Sequence, residues 1–178
     1  MLDKKFSILP STKVAELLDA YPGLEDVLIG IAPPFKKLRN PMLRKSVAKV
    51  ASLRQAAAVG RLPVEELVNI LRGAVGQEAI ATDAISETDS YFTNQPDWFD
   101  ATKIVVSIDE REGGDEDSMP LVSLVQKATR LDQTEIVELI TTFLPAPGID
   151  IMKKKGFLVW SVEESSGLIK TYFSKPSR

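Results

Sequence analysis

Two stretches of this sequence hold the side chains with which chemistry could be done. In the first, Asp109-Glu110-Arg111 closes a β-branched run and opens a loop with Gly113-Gly114 and the acids Glu112, Asp115, Glu116 and Asp117, then Ser118. A helix-patterned segment follows directly. An arginine beside a helix N-terminus can clamp a carboxylate or phosphate, and clustered carboxylates can supply oxygen ligands to a hard cation. Asp109, Arg111, Asp117 and Ser118 are therefore the candidate anion or ligand site. The acids lack the order of a calcium loop, so no metal is assigned. The plainer alternative is that the acids complement the helix dipole while Asp109 pairs with Arg111 or with neighbouring backbone to pin the loop.

The second stretch is basic. Lys36, Lys37, Arg39, Arg44, Lys45, Lys49, Arg54 and Arg61 fall in a window, Val27 to Val64, that has no acid at all. Lys45 and Lys49 are four apart and share a helix face, with Arg44 on an adjacent one. Lys36, Lys37, Arg44, Lys45 and Lys49 form a basic face suited to nucleic acid, a phosphate ligand or an acidic partner. Alternatively they complement the protein's own acidic middle, since Glu78 to Ser118 carries twelve acids and two cations. Residues 52–71 have a helix-turn-helix-like pattern, but its second helix opens with Pro63, Glu65 and Glu66, the wrong sign for phosphates.

Composition removes most other chemistry. The 178 residues include no cysteine and no histidine. Thiolate nucleophiles, disulfides, Ser-His-Asp arrangements and nearly all zinc and haem sites are thereby excluded. Catalysis would have to rest on carboxylates, lysine, tyrosine or an oxygen-ligated metal. No catalytic residue is assigned, no cofactor is expected, and a binding protein is the first expectation. No run of eighteen apolar residues and no secretory leader stands in the sequence, so a cytoplasmic protein without membrane contact is expected.

The elements that must position these groups follow from periodicity and punctuation. An apolar content of 44% can fill real cores. Residues 1–10 read as an edge strand or extended arm. Helices are expected from Ser11 or Thr12 to Tyr21-Pro22-Gly23 and from Leu24 to about Ile31, then an extended Ala32-Pro33-Pro34-Phe35. Asn40-Pro41 starts a basic helix with Leu43, Val47 and Val50 inward. Ser52-Leu53-Arg54-Gln55 is a capping box that begins another helix, ending at Gly60. Pro63 opens the last helix of this half, burying Leu67, Ile70 and Leu71. Residues 77–100 are acidic and then aromatic, a linker with a short helix to about Ser86. Its Tyr91, Phe92, Trp98 and Phe99 either anchor it to a domain or stack on a ligand.

Beyond Trp98 the period becomes strand-like. Lys103–Asp109 is a strand expected to be buried on both faces. Met119–Leu131 is a helix, Glu135–Phe143 a strand, and Pro145-Ala146-Pro147-Gly148 a turn into a helix at Ile149–Lys155. Phe143 to Pro147 either rim a small pocket with Trp160 or simply fix that turn. Met119 and Met152 are core. Phe157–Glu163 and Leu168–Phe173 form a hairpin through Ser165-Ser166-Gly167. The expected fold is α+β in two domains: an all-α unit at 1–76, the linker at 77–100, and a β-α-β-α-β-β two-layer sandwich at 101–178.

With Thr12-Lys13-Val14-Ala15-Glu16-Leu17-Leu18, Tyr21-Pro22 and Val27-Leu28, residues 10–76 resemble the ScdA-like N-terminal domain. That family is associated with hybrid-cluster proteins and repair of iron centres, and many members carry cysteines just after the second helix. Ala32-Pro33-Pro34-Phe35 stands there in this chain, so that redox role does not carry over. Residues 103–175, with Asp109-Glu110-Arg111, Pro120 and Phe143-Leu144-Pro145-Ala146-Pro147, resemble an uncharacterised branch of the TusA-like (SirA-like) family. Sulfur carriers of that family use a Cys-Pro-x-Pro motif. With its second proline at Pro120, Asp117 takes the place of the cysteine and Ser118 that of the first proline, and a carboxylate cannot carry a persulfide.

The resemblances imply a non-catalytic binding or accessory protein linked to sulfur or iron-cluster metabolism, with a protein partner or a small anionic ligand. The alternatives are nucleic-acid binding through residues 36–61, and an anion-binding domain or enzyme at Asp109, Arg111 and Asp117. The oligomeric state is left open.

Overall fold

The computed structural model describes residues 6–81, 91–111, 120–165 and 167–176. Helices and a four-stranded mixed sheet make the chain α+β. The chain divides into two units, Met1–Thr88 and Asp89–Arg178.

In the first unit the helices are α1 (Val14–Ala20), α2 (Leu24–Ile31), α3 (Pro41–Val50), α4 (Leu53–Gly60) and α5 (Val64–Ala74). Leu17 and Leu18 of α1, Leu28 of α2, Leu53 of α4, and Leu67 and Leu71 of α5 are fully buried in one core. The expected stripes are shifted in two places. Val50 and Ile70 are 40% and 39% exposed, while Ala51 and Val68 take the buried positions. The chain breaks after Val50, so Ala51 is free to turn inward.

Ser52 begins α4 as its spacing to Gln55 predicts. The Ser52 side chain accepts from the Gln55 backbone N–H, and the Gln55 side chain accepts from the Ser52 N–H at 2.9 Å. The same junction is tied to α1 by Val14 N–H to Ala51 O and Leu53 N–H to Thr12 O, both 2.9 Å. Because the cap sits where two helices are stapled together, Ser52→Ala should cost about 1 kcal/mol. Urea unfolding read by far-UV circular dichroism measures it, and an unchanged midpoint would refute the cap.

The extended reading of residues 32–35 is corrected. Only Ala32 is extended, with φ −148° and ψ 139°, as a residue before proline should be. Pro33–Arg39 is a 3-10 helix, entered by Phe35 N–H to Ala32 O at 3.1 Å. Prolines at the first two positions lose no hydrogen bond there, and their fixed φ suits a helical turn. This turn drives Phe35 into the core beside Gly60. A Cβ on Gly60 would lie 3.3 Å from the Phe35 ring and 2.5 Å from a Leu62 methyl.

Of the edge strand or extended arm expected at residues 1–10, the strand is not found at residues 6–9, and residues 1–5 lie outside the described residues. Side chains hold residues 6–9 instead. Gln77 donates to Phe6 O at 2.7 Å and accepts from Ile8 N–H at 3.2 Å, while Arg72 donates to Ile8 O at 2.7 Å. Tyr21 of the Tyr-Pro element donates to Phe6 O at 3.2 Å. Residues 77–81 carry no helix, and the rest of the helix expected to Ser86 lies outside the described residues.

In the second unit β1 (Ile104–Asp109), α6 (Pro120–Thr129), β2 (Ile136–Thr141), α7 (Ala146–Lys154), β3 (Leu158–Ser165) and β4 (Leu168–Ser174) follow the expected order. Helix α7 starts three residues early, because Pro147 lies in its first turn, where no N–H is needed. The sheet order is β1-β2-β4-β3, with β1 parallel to β2 and the other pairs antiparallel. Leu124 and Ala128 of α6 and Met152 of α7 share a core with Val137, Leu139 and Phe173, so both helices cover one face. Burial of β1 on both faces is not found. It is an edge strand with alternating exposure, and its Val105 is 51% exposed beside a register shift.

The face opposite the helices is partly covered by residues 91–100. Phe99 packs on Trp160 and Tyr172 with ring centroids 4.6 and 4.5 Å apart. The Trp160 indole N–H donates to Thr93 O at 2.9 Å, and Phe92 bridges to Ser161 at the outer edge of β3.

Candidate functional site

On the face away from the helices, strand register lines up side chains in rows across the sheet. One row runs Ser107, Glu138, Tyr172 and Trp160, and the next runs Asp109, Ile140, Lys170 and Val162. The alternation of β2 buries Val137 and Leu139 under the helices, and so forces Glu138 to the other side. There it is only 8% exposed.

A carboxylate so covered must be hydrogen-bonded and matched by charge. The Ser107 hydroxyl donates to Glu138 Oε2 at 2.8 Å, and Lys170 Nζ lies 3.6 Å from Glu138 Oε1. Lys170 also reaches Glu164 at 2.8 Å. The hydrogen bond to Glu164 raises the Lys170 pKa, partly opposed by desolvation. Burial, with Glu138 directly across the pair, pushes the Tyr172 hydroxyl up to about 12.

Asp109 and Arg111 are brought together as an ion pair. Arg111 Nε donates to both carboxylate oxygens at 2.9 and 3.2 Å, Nη2 donates at 2.6 Å, and the Arg111 backbone N–H donates at 2.9 Å. These bonds hold the Asp109 carboxyl down at about 2. Stability from this pairing is present above the ordinary aspartate value and is lost as pH falls through about 2. A guanidinium already engaged through Nε and Nη2 presents only part of its fork to another anion. Asp117 and Ser118 lie outside the described residues.

The basic face is divided by pairing. Arg44 donates to Glu25 at 2.6 Å, and Arg39 lies 3.8 Å from Asp26, so α2 of the same unit supplies acids. Lys36, on the 3-10 helix, and Lys45 and Lys49, on α3, are exposed and carry no ion pair among the described residues. Lys37 is half-buried and partnered. Helix α5 follows a turn in which Arg61 takes the left-handed conformation, and Glu65 and Glu66 stand in its first turn.

Sequence reasoning missed Ser107, Glu138, Glu164, Lys170 and Tyr172. The signal was present as a glutamate inside Ile136-Val137-Glu138-Leu139-Ile140 and a lysine inside Leu168-Ile169-Lys170-Thr171-Tyr172, since both residue types are depleted in strands. Among the described residues, no three acidic side chains are grouped to hold a metal ion, and no helix is long and apolar enough to cross a membrane.

Comparison with curated proteins and with solved structures finds no match to this chain. Residues 8–68, within the helical unit, match the family described as a domain of unknown function (DUF1858), the name under which the ScdA-like N-terminal region is known.

Proposed function

We propose that this chain is a non-catalytic binding or accessory protein whose helical unit meets an acidic protein partner through Lys36, Lys45 and Lys49. The observation that carries this reading is the division of the basic face. Its arginines at 39 and 44 are paired with Asp26 and Glu25, whereas the three lysines are exposed and unmatched among the described residues. Unmatched surface cations steer an oppositely charged partner and set its on-rate.

The shifted groups of the sheet face are held away from neutrality. A general acid or base works best with a pKa near the operating pH. Asp109 is held at about 2, Tyr172 at about 12 and Lys170 above its ordinary value. Each keeps one protonation state across neutral pH.

The TusA-like reading of the second unit rests on the sequence resemblance at Asp109-Glu110-Arg111, Pro120 and Phe143-Leu144-Pro145-Ala146-Pro147. Together with the ScdA-like resemblance, it makes a protein of sulfur or iron-cluster metabolism the partner class to test first.

The test is a salt series of fluorescence anisotropy with a labelled polyglutamate peptide and, separately, a duplex DNA. The parent protein should bind the peptide more weakly as salt rises, and Lys36→Glu/Lys45→Glu/Lys49→Glu should lose about tenfold or more in affinity. Unchanged binding by the triple variant would refute the surface. Tighter, steeply salt-dependent binding of the duplex would replace the protein partner with nucleic acid.

A further inference from the structure

Charge alone gives the basic face little grip. Exposed lysines that meet carboxylates add little net affinity, because both groups are well hydrated and both side chains lose freedom on pairing. Tight docking needs apolar surface that leaves water. Three large apolar side chains of the helical unit are exposed among the described residues: Leu9 at 43%, Val50 at 40% and Ile70 at 39%. Two of them, Leu9 and Val50, belong to the junction where residues 9–14 run beside residues 50–54.

That junction is a fixed mount. Besides the two bonds from Val14 to Ala51 and from Leu53 to Thr12, the Arg54 N–H donates to Pro10 O at 3.0 Å. The Leu9 N–H donates to the Thr12 hydroxyl at 2.9 Å. Lys13 Nζ donates to Val50 O at 2.7 Å, which sets its ammonium at the C-terminal end of α3. A carbonyl is neutral, so the charge of Lys13 remains. Lys45 and Lys49 are exposed on the same helix as Val50. Residues 9–18 and 45–54 together carry Lys13, Lys45, Lys49 and Arg54 against a single acid, Glu16. The junction is therefore net positive, with two aliphatic side chains exposed on it.

We propose that this junction docks an acidic peptide carrying large aliphatic residues, which cover Val50 and Leu9 while its carboxylates face Lys13, Lys45 and Lys49. The inference rests on the proposed role of the basic face and adds to it Lys13 and the apolar contacts. Charge sets how fast such a peptide arrives, and the aliphatic contacts set how long it stays. The backbone of the junction is already held by hydrogen bonds, so little of its freedom is lost on docking.

The probes are two labelled peptides of equal length and equal net charge, one of glutamate and serine, the other of glutamate and leucine. Fluorescence anisotropy with the full chain should show the same salt dependence for both, and about tenfold tighter binding of the leucine peptide. Leu9→Ser/Val50→Ser, with folding verified by circular dichroism, should bring the leucine peptide within about twofold of the serine peptide and leave the serine peptide unchanged. Equal affinity of the two peptides for the parent protein would overturn the inference and leave the charge reading standing. So would a leucine advantage that survives in the double variant. Undiminished binding of both peptides by Lys36→Glu/Lys45→Glu/Lys49→Glu would instead refute the charge reading, and this inference with it. Tighter binding to vesicles of phosphatidylglycerol and phosphatidylcholine, lost in Leu9→Ser/Val50→Ser, would replace the peptide with an anionic lipid surface.

Discussion

Phe99→Ala is expected to lower the stability of the C-terminal unit by about 2–3 kcal/mol, close to the range for emptying a large aromatic site. The Phe99 ring touches Trp160 and Tyr172 at once, and Trp160 stacks on Tyr172 at 5.3 Å with 20° between planes. Aromatic pairs add about 0.5–1.5 kcal/mol beyond the area they bury. Half-burial of Phe99 keeps the total below the upper end of the range. Removing the ring also exposes Ile136, Trp160 and Tyr172, which form the small cluster on this face. Urea unfolding followed by tryptophan fluorescence measures the loss. A change below about 0.5 kcal/mol, the scale of an ordinary surface substitution, would mean that residues 91–100 do not cover the sheet.

Lys170→Met should cost about 2–3 kcal/mol, because it strands Glu138 on a covered face of the central strands. The side chains of Glu138 and Lys170 are 11% and 22% exposed, so some water remains and the effect falls short of full burial. Glu138→Gln/Lys170→Met should recover most of the loss, since the stranded charge is then gone and Ser107 keeps a hydrogen-bond acceptor. A double variant as unstable as the single one would show that Lys170 acts through packing alone.

The pH dependence of this network has a definite sign. The folded pKa of Lys170 lies above 10.5 and that of Tyr172 is about 12 against an ordinary 10. Both groups bind their protons more tightly when folded, so their stabilisation is whole below the unfolded values and lost as pH rises through the folded ones. The parent should therefore lose stability at strongly alkaline pH, and the lysine share of that loss should vanish in Lys170→Met.

Local patterns proved readable wherever a short-range rule fixes the backbone. The Ser52–Gln55 box and the succession of strands and helices after Lys103 needed only neighbours a few residues away. Within residues 32–35 the rule before proline gave only Ala32, because nothing in Pro33-Pro34 by itself says that the next turn will close. Its closure depends on Phe35 finding space beside Gly60, which comes from another helix. The pairing of Asp109 with Arg111 was also legible, since two residues in sequence suffice to place them.

Glu138 illustrates what sequence could not supply. Its alternation gave the face, but its partners come from β1, at Ser107, and from β4, at Lys170, so the network exists only once three strands adopt one register. Val105 errs in the same way. A β-branched run reads as a buried strand, and only the sheet order makes it an edge.

By itself the sequence determined the absence of thiol and imidazole chemistry, the helical and mixed halves, and the uneven distribution of charge. These are properties of composition and of periods no longer than a helical turn. Tertiary structure alone decided which cations are neutralised by α2 and which carboxylates meet a lysine. Each of those outcomes depends on groups far apart in the chain, whose meeting is fixed by packing and strand register.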